Sequence, residues 1–256
     1  MNQPSARYSS LDQRVVFITG GGSGIGASLT RAFHQQGARV VFVDINDAAS
    51  EALVAELSVE TGKAPCYHHC DIRDVASLQQ VIAETGQSVG PIHVLVNNAA
   101  SDDRHRWQDV DVAYWDERMS LNLRPMFFAS QAAAEQMIKA GGGSIINFGS
   151  VSVQMALGGL PAYVTAKAAV HGLTRSLARD LGEHNIRVNT LVPGAVMTER
   201  QLEKWIGPGD EAEIQARQCL KLRLEPEHIA PAVLFLASAE SQTITGQELA
   251  VDAGWA

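Results

Sequence analysis

The chain is poor in the features that would place it in several common protein classes. Its three cysteines, Cys66, Cys70 and Cys219, in 256 residues are too few for a disulfide framework. There is no run of Lys and Arg and no zinc-finger spacing. With 20 basic against 28 acidic residues the net charge is -8, and binding a phosphate backbone needs clustered positive charge. No nucleic-acid partner is therefore expected. The longest apolar runs are too short to span a bilayer, so no membrane partner is expected either. No charged-then-apolar leader precedes the first apolar stretch, which predicts a cytoplasmic protein. Cys66, His68, His69 and Cys70 lie close together, but neighbours on a strand point to opposite faces and no second ligand pair follows. No metal is expected.

What is present is a large apolar fraction, 46%, with 19% charged residues, enough for one α/β domain with a substantial core. A polar lead over residues 1–12 is expected to be flexible. Apolar strand patterns then alternate with helical ones. Strands are predicted at 15–19, 39–43, 64–69, 92–96, 144–148, 186–191 and 248–251. Helices are predicted at 24–36, 47–60, 75–85, 112–140, 160–181 and 227–236, with a mobile segment up to Lys221. Seven strands alternating with helices predict a single doubly wound Rossmann domain, its parallel sheet flanked by helices on both faces.

The first strand-to-helix turn reads Thr19-Gly20-Gly21-Gly22-Ser23-Gly24-Ile25-Gly26, a relative of the dinucleotide fingerprint in its proper context. Glycines permit a tight turn and close backbone approach, and a helix N-terminus offers unpaired N–H groups to a pyrophosphate. Asp44, at the tip of the second strand, can accept hydrogen bonds from both ribose hydroxyls and would repel a 2'-phosphate. No Lys or Arg lies among residues 20–26 or directly after Asp44, so NAD is favoured over NADP. Asp44 could otherwise be a helix cap or turn residue.

Tyr163 and Lys167 stand four apart on a predicted helix, a spacing that shares one face. The ammonium is expected to favour the phenolate and so make a base of a phenol that ordinarily titrates near 10.

These residues, with Asn97-Asn98-Ala99-Ala100, Asn122, Ser150 and Pro193-Gly194 in order, resemble the short-chain dehydrogenase/reductase family across nearly the whole chain. The resemblance implies that Tyr163 transfers the proton and Lys167 holds the nicotinamide ribose. Ser150 binds the substrate oxygen, and Asn122 organises a water-linked proton path. It implies further that Asp71 with Ile72 meets the adenine and that Asn98 and Ala99 line the cofactor cleft. Pro193, Gly194, Val196 and Thr198 border the nicotinamide. Ser150 follows Gly149 where many members carry a second serine, yet the interval to Tyr163 favours Ser150 over Ser152.

The substrate-facing segments, Ser101 to His105 and Arg200 to Trp205, are polar. Asp102 and Arg104 are candidate ligands for a polyhydroxylated substrate, although such a charge run also suits a solvated turn. These segments, with Tyr114-Trp115-Asp116-Glu117-Arg118, Gln218-Cys219-Leu220-Lys221 and Asp252-Ala253-Gly254-Trp255, resemble bacterial NAD-dependent aldose dehydrogenases. That resemblance implies oxidation of the anomeric hydroxyl of a sugar of the D-xylose, L-arabinose or D-galactose type to a lactone. Another alcohol or polyol dehydrogenase, or a 3-oxoacyl thioester reductase, is the alternative; a non-catalytic NAD-binding protein would have no use for Ser150, Tyr163 and Lys167. The segment 198–221, with Gly207-Pro208-Gly209 inside it, is expected to act as a substrate lid. The wider family implies a homotetramer built through residues 112–140 and 160–181, where Ala132, Ala133, Ala134, Ala166, Ala168 and Ala169 would permit close packing. Trp255 and Ala256 are expected to reach a neighbouring subunit's cleft.

Overall fold

The computed structural model describes residues 6–207 and 209–256. Strands β1 (Val15–Thr19), β2 (Arg39–Asp44), β3 (Cys66–His69), β4 (Ile92–Asn97), β5 (Gly143–Phe148), β6 (Ile186–Pro193) and β7 (Glu248–Val251) form one parallel sheet in the order β3-β2-β1-β4-β5-β6-β7. The helices are α1 (Gly24–Gln35), α2 (Asp47–Thr61), α3 (Val75–Ser88), α4 (Val112–Asn122), α5 (Arg124–Lys139), α6 (Pro161–Leu181), α7 (Glu199–Lys204), α8 (Asp210–Arg217) and α9 (Ala230–Ala237).

Strand side chains alternate between faces, and this chain fills both sides. Val16 and Ile18 join Phe33, Leu57 and Leu234 on one face. Val15 and Phe17 join Leu78, Ile82 and Ala133 on the other. Every residue of β1 is buried, so the strand reads as a continuous apolar run.

Three local expectations change. The single helix over 112–140 is two helices broken at Leu123, whose φ of -133° and ψ of -56° leave the helical region. Pro125 is the cause: it has no N–H for Leu121 and its ring crowds that carbonyl. The segment expected to be mobile up to Lys221 carries α7 and α8. Thr198 caps α7 through a hydrogen bond from the Gln201 N–H. Pro208, part of the proposed lid, lies outside the described residues. Of the lead, residues 1–5 also lie outside them, but Ser9–Leu11 form a turn with Leu11 buried in the core. An apolar side chain four residues before β1 is thus docked on the core.

The strand order reverses direction between β1 and β4, and a cleft opens beyond the carboxyl ends there, where open α/β sheets bind ligands. The strands feed this edge, which is how residues from Gly20 to Trp255 meet.

Candidate active site

The cleft has a volume of about 910 Å³, ample for a dinucleotide and a small substrate. Its inner end is the turn after β1. Gly20 has a φ of +67° and donates its N–H to Val43 O at 2.8 Å. A Cβ on Gly26 would lie 1.7 Å from the Gly20 carbonyl oxygen, so only glycine lets α1 start this close to the turn. Ser23 precedes α1 but its side chain makes no capping bond. The first helical N–H groups are thus left for an anion. Asn98 closes the turn from β4, its Nδ2 donating to Thr19 O at 3.1 Å and Gly20 O at 2.9 Å.

At the tip of β2, Asp44 accepts from Gly22 N at 2.9 Å and Asn46 N at 3.0 Å. Both carboxylate oxygens are held, and the group borders the cleft. The residues present therefore fit a dinucleotide: a glycine turn, an uncapped helix N-terminus, and an oriented carboxylate for a ribose. Ile25, Ile72, Ala99, Pro193, Gly194, Val196 and Thr198 border the same cleft. Asp71 does too, with its carboxylate gripped by Arg73 at 2.9 and 2.5 Å. Arg73 also reaches Glu117 on α4 at 3.3 Å, a clamp with no counterpart in the sequence reading.

Ser150, Tyr163 and Lys167 come together in the cleft wall. Ser150 Oγ accepts from Ser152 Oγ at 2.9 Å and from Ser152 N at 3.2 Å. Its own hydrogen is then left to donate outward. Ser152, set aside on spacing, orients Ser150 from behind. Lys167 is buried and donates to the Phe148 carbonyl at 2.7 Å, with Nζ 5.7 Å from the Tyr163 ring centre.

Burial works against the lowering of the Tyr163 phenol expected from this cation. Burial pushes the phenol up to about 12; the Ser150 hydroxyl and Arg104 work against this, while Asp102 adds to it. Burial also pushes Lys167 down to about 7, opposed by Asp102. Tyr163 keeps part of its surface open to the cleft, but the dense protein around both groups makes loss of water outweigh their mutual effect.

Asn122 does not border the cleft. It is fully buried at the end of α4, where Oδ1 accepts from Ser101 N at 2.8 Å and Nδ2 donates to Ser101 O at 3.1 Å. It fixes the loop after β4 from behind.

That loop and α7 meet over the outer end of the cleft. Asp103 accepts from Arg200 at 2.7 Å and from Arg118 at 3.1 Å. Asp102 accepts from Gln201 at 2.8 Å, and the Arg104 guanidinium lies over the Trp205 ring at 5.5 Å. Asp102 and Arg104 therefore border the cleft as expected but are already engaged with α7. Asp103 and Arg200 are 97 positions apart in the chain, and only tertiary proximity joins them with Arg118. Trp255 borders the cleft of its own chain. Asp252 holds it there by accepting from the backbone N–H groups of Gly254, Trp255 and Ala256 at 2.8, 3.1 and 2.9 Å. Among the described residues no group of three or more His, Cys, Asp or Glu could hold a metal ion, and no helix is long and apolar enough to cross a membrane.

A doubly wound sheet with a glycine turn at its switch point, and a Ser-Tyr-Lys set in the same cleft, defines an oxidoreductase. The chain belongs to the short-chain dehydrogenase/reductase family, and residues 20–256 match the family described as Enoyl-(Acyl carrier protein) reductase. It is 53% identical over 251 residues to the D-xylose 1-dehydrogenase of Caulobacter vibrioides (strain NA1000 / CB15N), spanning 98% of this chain and 99% of the relative. It is 46% identical over 254 residues to the "probable galactose dehydrogenase" of Rhizobium meliloti (strain 1021), spanning 99% of each. A solved 7 alpha-hydroxysteroid dehydrogenase, complexed with NADH and 7-oxo glycochenodeoxycholic acid, has a TM-score of 0.91 at 34% identity over 96% of each chain.

Proposed function

We propose that the protein is an NAD-dependent aldose dehydrogenase that oxidises the anomeric hydroxyl of a cyclic sugar to a lactone, with D-xylose, L-arabinose and D-galactose types as candidates. The observation that carries this reading is the meeting of Ser150 and Tyr163 in a cleft whose outer wall is polar, from Ser101, Asp102, Asp103 and Arg200. A long acyl chain or steroid would offer that polar wall no further hydrogen bonds, whereas sugar hydroxyls would. The identities to a D-xylose and a galactose dehydrogenase point the same way.

In this reading Ser150 donates to the anomeric oxygen and Tyr163 takes the hydroxyl proton. A bound nicotinamide would supply the acceptor for the hydride that leaves the anomeric carbon. In the reverse direction the Tyr163 phenol returns the proton to the lactone oxygen. Gly20, Ser23, Gly24, Ile25 and Gly26 would hold the pyrophosphate, Asp44 the adenosine ribose, and Asp71 and Ile72 the adenine. Asn98, Ala99, Pro193, Gly194, Val196 and Thr198 would border the nicotinamide half, with Lys167 on its ribose. Asp102 and Arg104 would contact sugar hydroxyls, and residues 198–221 would move as a lid.

We also infer a cytoplasmic homotetramer. Phe127 and Trp115, 40% and 38% exposed on α5 and α4, support association through these helices. Of the alanines suggested for that contact, Ala168 and Ala169 are exposed, whereas Ala133, Ala134 and Ala166 are buried within the chain's own core. Light scattering tests the assembly.

The test of function is NADH absorbance on adding an aldose panel with NAD and, separately, NADP. Turnover of one or more aldoses with NAD is expected. Good turnover of another alcohol, with none of any aldose, would overturn the sugar assignment.

A further inference from the structure

The helix that presents Tyr163 has no cap of its own. Its N-cap residue, Leu160, makes no side-chain capping bond, and the next residue is Pro161, which has no N–H. The first N–H needing a partner is that of Ala162, directly before Tyr163. Upstream, Gly158 and Gly159 have open space around them, and Gly159 has a φ of +77°. Nothing local holds the start of α6.

The missing partner comes from 57 residues away. His105, on the loop after β4, accepts the Ala162 N–H on Nε2 at 3.2 Å. The His105 backbone N–H donates to the Gly159 carbonyl at 2.7 Å, so the loop and the approach to the helix are joined at two points. An imidazole nitrogen that accepts carries no hydrogen. The hydrogen then sits on Nδ1, which faces the Asp103 carbonyl at 2.9 Å and the Tyr114 hydroxyl at 2.9 Å. The Tyr114 ring meets His105 edge-on at 4.9 Å, and Arg118 lies 5.3 Å from that ring's centre. Both ring nitrogens have a stated task, and the bonds they make select one tautomer.

We infer that His105 is a positioning residue for the reaction, serving as a neutral cap, delivered from the β4 loop, that sets the start of α6 and with it the Tyr163 hydroxyl. It lies outside the residues bordering the cleft and acts only through Ala162. The inference rests on the oxidoreductase role proposed above for Tyr163. A small misplacement of a proton-transferring group lowers turnover more than binding.

The experiment pairs kinetics with NMR on the full chain. Nitrogen-15 spectra should show His105 as the neutral Nδ1–H tautomer, and exchange of the Ala162 amide should speed up at least tenfold in His105→Ala. In the same variant kcat should fall by about tenfold, with KM for the sugar and NADH affinity within about twofold of the parent. His105→Gln places an amide oxygen near the Nε2 position and should recover most of the lost kcat. An Nε2–H tautomer, or unchanged kcat in His105→Ala, would overturn the inference. So would a Gln variant as slow as the Ala variant at equal melting temperature. The tautomer and the Ala162 exchange are read without substrate, so they judge His105 even where the sugar panel itself fails.

Discussion

Asp103 and Arg200 meet across the mouth of the cleft, Oδ1 accepting from Nη2 at 2.7 Å, and tie the loop after β4 to α7. Lys204 approaches the same oxygen at 3.8 Å, and Arg118 holds the other at 3.1 Å. One carboxylate thus gathers three cations from two helices. Because the groups are partly exposed, each pair is worth only a fraction of a kcal/mol to about 1 kcal/mol. Asp103→Ala should therefore raise KM for the sugar by about threefold to tenfold, with a smaller change in kcat. Hydrogen exchange should quicken over 199–217, and bound ligands should slow it less than in the parent. Protection of that segment indifferent to ligands in both proteins would count against closure.

Tyr163 enters the reaction with its phenol pushed up to about 12. As an acid it is fully protonated at neutral pH. As a base it is scarce, and each pH unit below its titration lowers the phenolate tenfold. Sugar oxidation should therefore rise steeply between pH 6 and 9, while lactone reduction should gain nothing from alkali. A flat oxidation profile over that range would contradict the assigned role. Tyr163→Phe should cost about 100-fold to 10,000-fold in turnover while NADH binding, followed by fluorescence, stays near the parental value.

Lys167 makes an opposite contribution to stability. Its ammonium titrates near 7 in the fold, against an ordinary 10.5. Between those values the unfolded chain binds a proton that the folded protein lacks, so this group makes stability rise with pH. Below about 7 both states are charged and the fold carries a buried ammonium. The melting temperature of Lys167→Met relative to the parent should be most favourable at pH 6 and decline towards pH 10. A difference independent of pH would rule this out.

Asp44 is held by the Gly22 and Asn46 N–H groups, so its charge cannot swing away from an incoming 2'-phosphate. Asp44→Ala should lower the NAD to NADP ratio of kcat/KM by about tenfold or more, equivalent to ~1.4 kcal/mol. An unchanged ratio would place the discrimination elsewhere.

Much of this arrangement was legible before folding was considered. The apolar strands, the glycine turn and the Asp44 position follow from local pattern, because a strand-turn-helix unit is a short-range feature. The break at Leu123 had its signal in Pro125 and was masked by uninterrupted helical patterning around it. The His105 cap and the Asp103 cluster had none, since their partners are 57 and 97 residues away.

The linear order of residues determined the alternation of strands and helices, the glycine turn at the switch point, and the residue types brought to it. Those are matters of backbone conformation and side-chain period. The tertiary structure alone decided how much water the catalytic groups lose. Where adjacency favours a phenolate beside an ammonium, enclosure pushes the phenol up to about 12 and the amine down to about 7. Desolvation depends on everything packed around a group, and spacing along the chain carries no measure of that.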